Sequence, residues 1–271
     1  MSLSTFISTA QISDIAQMAS GKIKLFCPVS DIDNNIYGYF SIFFLSRIDK
    51  EHQKYEYVLL DKNLNKVANG EFTDIDYKRM NSDFFYPEKI GNAIIISKVY
   101  YSLNPSKSLE RSYIAHRMLD LEKNELSDQF HYNEGDLIEG YINPDELKSN
   151  LKGKDIVEIP LALKDGYVLY PKVKSKNDYD ETRYFRGIGM DRKEKWVYDY
   201  NPEAANLEPG IERITDTDFI ISKREWGGMN SVVIDDIDPS TGKLHFKYEL
   251  ENKKSDYSHL FMIKPGLPVI F

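Results

Sequence analysis

The chain repeats itself, and no other property restricts its folding as much. Phe43–Arg47, Ile94–Lys98 and Phe219–Lys223 are short apolar runs, each closed by Ser-Arg or Ser-Lys. After a polar loop, each is followed by a second apolar run that enters an Asp- or Asn-rich turn and then a third run: Tyr57–Val67, Arg117–Leu126 and Val232–Leu244. A fourth copy, Tyr167–Lys172 followed by Arg186–Trp196, carries Pro171 in place of the serine. Self-similarity at tens of residues marks a series of like supersecondary units that bury their apolar surface against one another. The runs are short, bounded by turn residues and rich in β-branched and aromatic side chains, so they are expected to be strands.

The turns have a local mechanism. Asp and Asn accept hydrogen bonds from backbone amides two residues on and tolerate left-handed geometry, and Gly242 takes a positive φ without steric cost. The expected fold class is therefore all-β and mostly antiparallel, with repeat units near residues 36–73, 91–130, 163–200 and 215–250 in a β domain spanning 22–271. Residues 1–21 are set apart as an N-terminal helical segment: Ser8 and Gln11 have capping-box spacing, Ile12, Ile15, Ala16 and Ala19 recur at helical intervals, and Gly21 supplies a stop. An insert at 132–164 holds Asn143–Lys148, which reads as a capped helical turn. The final residues, Leu260–Lys264 and Leu267–Phe271, resemble the opening strand of another unit, so the chain is expected either to close a ring or to belong to something longer.

Asp238–Tyr248, with its Asp-x-x-Thr-Gly-Lys turn and aromatic-rich strand, resembles a blade of quinoprotein-like and WD-type β-propellers. The likeness covers roughly residues 36–271, at a spacing near the 40 to 50 residues of a blade. It implies a propeller or propeller-like ring of about four to five small sheets, and a scaffold does not by itself imply a function.

Composition narrows the chemistry. Thirty-five Lys and Arg against 43 Asp and Glu leave a net charge of -8, which argues against nucleic acid as a partner. No run approaches the roughly 20 apolar residues of a membrane-spanning helix. A basic segment followed by an apolar run is missing from the N-terminus, although a removed signal peptide would leave no trace. The lone Cys27, followed by Pro28 at the end of an apolar run, is expected to be buried as a small hydrophobe. It excludes a disulfide framework and slightly favours the cytoplasm.

Catalytic patterns are sparse. His52, His116, His131, His245 and His259 have no metal-binding spacing, so a metal site would have to be assembled from distant segments, and neither a metal ion nor a cofactor is expected. Gly187-x-Gly189 lacks a third glycine and fits a bulge or a close backbone approach better than a dinucleotide loop. Asp31–Asn35 and Asp236–Ser240 superficially match calcium loops, but position twelve holds Ile42 or Lys247 instead of Glu, so ordinary turns are expected.

One pattern stands out. The segments after the Ser-Lys runs are rich in cations and aromatics: His52, Lys54 and Tyr55; Lys98, Tyr100, Tyr101, Lys107 and Arg111; Lys172, Lys174, Lys176, Tyr179 and Arg183; Lys223, Arg224 and Trp226. If equivalent loops gather on one rim, Tyr100, Tyr101, Arg111, Lys174, Arg183, Lys223, Arg224 and Trp226 are the expected binding residues of a non-enzymatic scaffold for a protein or polysaccharide. The bland alternative is solvated loops whose charges keep strand edges from pairing. The enzymatic alternative is a propeller-type glycoside hydrolase or other hydrolase with carboxylates in a central funnel.

Overall fold

The second strand of each repeat is apolar at consecutive positions because it is buried on both faces. The computed structural model describes residues 21–33, 35–77, 80–85, 87–102, 112–133, 135–142, 158–171, 184–201, 207–225 and 231–251. The expected N-terminal helix and the helical turn at Asn143–Lys148 lie outside them. The described residues hold strands and no helix, arranged in four antiparallel sheets. The first sheet is β1 (Lys22–Ser30), β2 (Ile36–Arg47), β3 (His52–Asp61) and β4 (Lys66–Ile75), paired in chain order.

In the second sheet β7 (Ala93–Ser102) and β8 (Ser112–Asp120) are central. β5 (Met80–Phe84) and β6 (Glu88–Ile90) pair with β7, β9 (Glu125–Leu126) and β10 (Phe130–Asn133) pair with β8, and β11 (Asp136–Glu139) pairs with β10. The third sheet is β12 (Glu158–Leu163), β13 (Gly166–Pro171), β14 (Tyr184–Gly189) and β15 (Glu194–Asp199). The fourth is β16 (Leu207–Ile214), β17 (Phe219–Glu225), β18 (Ser231–Ile237) and β19 (Leu244–Glu251). Both follow chain order.

Neighbouring residues of a strand point to opposite faces, so one strand serves two interfaces. Ile94 and Ile96 of β7 pack with Phe40, Ile42, Tyr57 and Phe72 of the first sheet. Ile95, between them, joins Phe130 and Tyr132 in packing against Tyr167, Leu169 and Ile188 of the third sheet. In β13, Val168 turns the other way and meets Phe185, Trp196, Phe219, Ile221 and Ile237, which couples the third sheet to the fourth. Each fully buried side chain of this size contributes about 1.5–3 kcal/mol relative to exposure. The sheets are thus coupled in succession, first to second, second to third and third to fourth.

The turns between third and fourth strands follow one design. Asp61 Oδ1 accepts from the amides of Asn63 and Asn65, Asp120 Oδ1 from Glu122 and Lys123, Asp191 Oδ1 from Lys193, and Asp238 Oδ1 from Ser240. Each turn also holds one residue in left-handed backbone: Leu64, Asn124, Arg192 or Gly242. Asp31 uses its carboxylate in the same way on Asp33 and Asn35, so the two segments that superficially resemble calcium loops are hydrogen-bonded turns around Asp31 and Asp238.

Register corrects one alignment. Tyr39, Ile94 and Phe219 face Leu60, Leu119 and Ile237, the residues immediately before the turn aspartates. Two residues beyond them stand Ser41, Ile96 and Ile221, so Ile96 and Ile221 are equivalent. Leu45 is not, because β2 runs farther and its Ser46-Arg47 is exposed at the strand end. Apolarity extends through Ile42–Leu45 and conceals this offset in the sequence.

Cys27 is buried, as expected, and burial pushes its thiol up to about 12. Gly187 fits its expected role as well: it pairs with Trp196 at a register shift, and a β-carbon there would collide with the indole. Gly187→Ala is therefore expected to destabilise the fold by about 1–3 kcal/mol, read as a lower urea midpoint with an unchanged m-value.

Candidate functional site

The lysine of the Ser-Lys pair lies inside the molecule. Lys98 is two residues beyond Ile96 and so shares its face, toward the first sheet. Its Nζ is 2.9 Å from Asp74 Oδ2, with both side chains buried. Tyr100 donates to the same oxygen at 3.3 Å, and the Arg117 guanidinium reaches Asp74 Oδ1 at 3.4 Å. Arg117 also donates to the Thr73 and Ser127 carbonyls and to the Tyr141 hydroxyl. The rings of Tyr55, Phe84 and Tyr100 stand 4.9–5.2 Å from Lys98 Nζ. One carboxylate thus holds two cations, and aromatic faces take up part of the remaining positive charge. Burial, reinforced by the Asp74 charge, keeps the Tyr55, Tyr77 and Tyr141 hydroxyls protonated.

The cavity beside this cluster is lined by Asp74, Ile96, Lys98, His116, Arg117 and Gln129 and is about the size of one water molecule. Among the described residues, this cavity beside the cluster is too small for a substrate. The cluster ties sheet to sheet.

Two histidines extend this polar interior. His116 is opposite Ser97, whose Oγ is 2.9 Å from its Nδ1, and burial holds the imidazole down at about 3. His131, 3.3 Å from the Tyr113 hydroxyl, is held at about 4 for the same reason.

The fourth sheet repeats the theme with different partners. Lys223, two residues beyond Ile221, is 2.5 Å from Asp235 Oδ2, and Tyr198 of the third sheet donates to that oxygen. Trp196 Nε1 donates to the Pro239 carbonyl and the Tyr170 hydroxyl to the Pro209 carbonyl, adding two polar ties at the same junction.

These placements divide the expected binding residues. Tyr100 and Lys223 are buried within β7 and β17. Tyr101 is half-buried and donates to Asp83, and Arg224 lies in β17 opposite Glu208 and Val232. Arg111, Lys174, Arg183 and Trp226 lie outside the described residues. Of the other cations expected on the rim, Lys54 pairs with Glu71, and His52 with Asp49. The segments after Ser97-Lys98 and Ser222-Lys223 continue as strand to Ser102 and Glu225. The available signal was the spacing itself: Ile96, Lys98 and Tyr100 recur every second residue, which is the period of a strand face.

No family model matches the chain, and no curated protein matches it. Among solved structures it is similar to an uncharacterized protein of Listeria monocytogenes, with a TM-score of 0.38 and 12% identity over 85% of this chain and 53% of that one. A Synechocystis apocarotenoid oxygenase gives a TM-score of 0.32 and 8% identity over 88% of this chain and 64% of that one. The chain therefore spans about half to two thirds of the length of these structures.

Two outcomes follow from the buried charges. Asp74→Asn leaves Lys98 and Arg117 uncompensated and is expected to cost about 3–5 kcal/mol. Lys98→Met, which leaves Arg117 on Asp74, is expected to cost less, and chemical denaturation of the two variants gives the order. The histidines have folded-state pKa values below the ordinary 6.5, so the stability they contribute is complete above pH 6.5 and is lost as pH falls toward about 4 for His131 and about 3 for His116. Glu88, raised to about 7 by burial, acts in the opposite sense between about 7 and its ordinary value of 4.5. His116→Gln is expected to flatten the loss below pH 6.5 by about 1.4 kcal/mol per pH unit, measured by urea unfolding from pH 7 to pH 5.

Proposed function

We propose that this chain is a non-enzymatic interaction scaffold whose four sheets are blades of a propeller-like stack, and that it binds an acidic protein or polysaccharide partner. The observation that carries the reading is that the described buried cations serve internal contacts. Lys98 and Arg117 hold Asp74, and Lys223 holds Asp235. The turn aspartates likewise spend their carboxylates on their own backbone amides. Side chains committed in this way support the architecture and are poorly placed to turn over a substrate.

The propeller-like reading draws on the order of packing. Each sheet meets the next through alternate residues of its strands, as blades do, and the strands of the first, third and fourth sheets pair in chain order. Lys223 belongs to this framework and drops out of the binding set. Lys174, Arg183 and Trp226 carry the proposed recognition of negative charge, with the indole as an anchor.

Electrophoresis of the full chain in native gels containing polygalacturonate, with neutral dextran as the control, tests the reading. The expected result is retardation by the acidic polymer alone. In a Lys174→Ala, Arg183→Ala, Trp226→Ala variant that retardation should disappear with no change in melting temperature. Equal mobility of parent and variant in the acidic gel would remove the proposal.

A further inference from the structure

On the fourth sheet, three side chains with metal-binding chemistry converge from separate segments. Asp218 precedes β17, Asp236 lies in β18 and His245 in β19, and their ligand atoms all lie within 4.8 Å of one another. Strand geometry explains the convergence. Asp236 is opposite Ile220, and Asp218 is two residues from Ile220, so both carboxylates share one face. That face is turned away from Ile221 and Ile237, which pack on the third sheet.

His245 reaches the same face through a bulge. Asp236 pairs with Phe246 and Ile237 with Leu244, which leaves His245 as the extra residue between them. A bulge suspends strict alternation and re-aims a side chain. His245 Nδ1 consequently lies 3.7 Å from Asp236 Oδ2.

Two further observations separate this group from an ordinary acidic cluster. The Asp236 side chain is more than nine-tenths buried, yet its Oδ1 has no hydrogen-bond partner. A buried carboxylate oxygen in that state is costly unless a cation meets it. Asp218 is held in place as well: Thr215 and Thr217 both donate hydroxyl hydrogen bonds to its Oδ2, at 3.0 and 2.7 Å. Hydroxyl hydrogen bonds that orient a carboxylate are the outer-shell arrangement of metal sites.

We propose that Asp218, Asp236 and His245 bind a divalent transition-metal ion of the zinc class, clamping the turn before β17 to β18 and β19. One imidazole and two carboxylates suit zinc better than calcium or magnesium, which favour all-oxygen sites. Tetrahedral zinc separates its ligands by about 3.3 Å, so the 3.7 Å between His245 and Asp236 needs only a small approach by the exposed imidazole. Two carboxylates and a neutral imidazole together balance the charge of the ion. A three-ligand set also leaves a coordination position for water.

The test uses the full chain, stripped with a chelator and titrated with zinc in competition with a chromophoric chelator. One equivalent of zinc is expected, with a rise in melting temperature that magnesium does not reproduce. His245→Gln, at an exposed position, and Asp236→Asn should each weaken binding by more than about 10-fold, and Thr217→Val should weaken it about 10-fold through Asp218. Cobalt in place of zinc should give visible absorption bands that His245→Gln alters. No bound zinc at micromolar concentration would overturn the proposal, as would His245→Gln and Thr217→Val variants indistinguishable from the parent. Far-UV circular dichroism identifies any variant that does not fold, and His245→Gln decides the matter if Asp236→Asn fails.

Discussion

Burial of one strand on both faces is the constraint from which the rest of this architecture follows. In β7, Ile94 and Ile96 serve one neighbouring sheet and Ile95 the other. In β13, Leu169 and Val168 do the same. An isolated four-stranded meander would leave half of these residues in water. The sheets therefore stabilise one another, and the fold is a property of the series more than of any member.

That packing also explains the polar residues at the interfaces. Lys98 and Lys223 occupy faces that are closed by the neighbouring sheet, and each needs a carboxylate within reach. Asp74 comes from the first sheet and Asp235 from the fourth itself, so equivalent positions are satisfied by different partners. Tyr198 from the third sheet completes the second arrangement. Removing one partner of such a pair is expensive because the other remains buried and charged, which makes these contacts a check on correct docking of one sheet on the next.

Much of the architecture is legible in the sequence, and the parts that are not share a cause. The turns at Asp61, Asp120 and Asp238 are readable because their chemistry is local, linking a side chain to amides two or three residues away. The strand character of the repeats is readable from β-branched runs. Leu45 is misaligned because an apolar run longer than its strand-pairing signal does not fix register. Lys98 and Lys223 resemble strand ends because charge normally marks exposure. Their burial depends on a partner 24 residues away in one case and in an adjacent strand in the other. The meeting of Asp218, Asp236 and His245 is hidden for the same reason: it depends on pairing between three segments and on one extra residue in β19.

The sequence by itself determined the all-β class, the recurrence of the unit, the Asp-centred turns, the burial of Cys27 and the tight approach at Gly187. Each rests on near-neighbour chemistry or on the period of a strand. The tertiary structure alone decided which faces are closed, which cations are buried, the register of the first unit and which distant side chains stand together. These depend on how one sheet is seated on the next, and that seating is set by the summed packing of many residues far apart in the chain, to which no single motif corresponds.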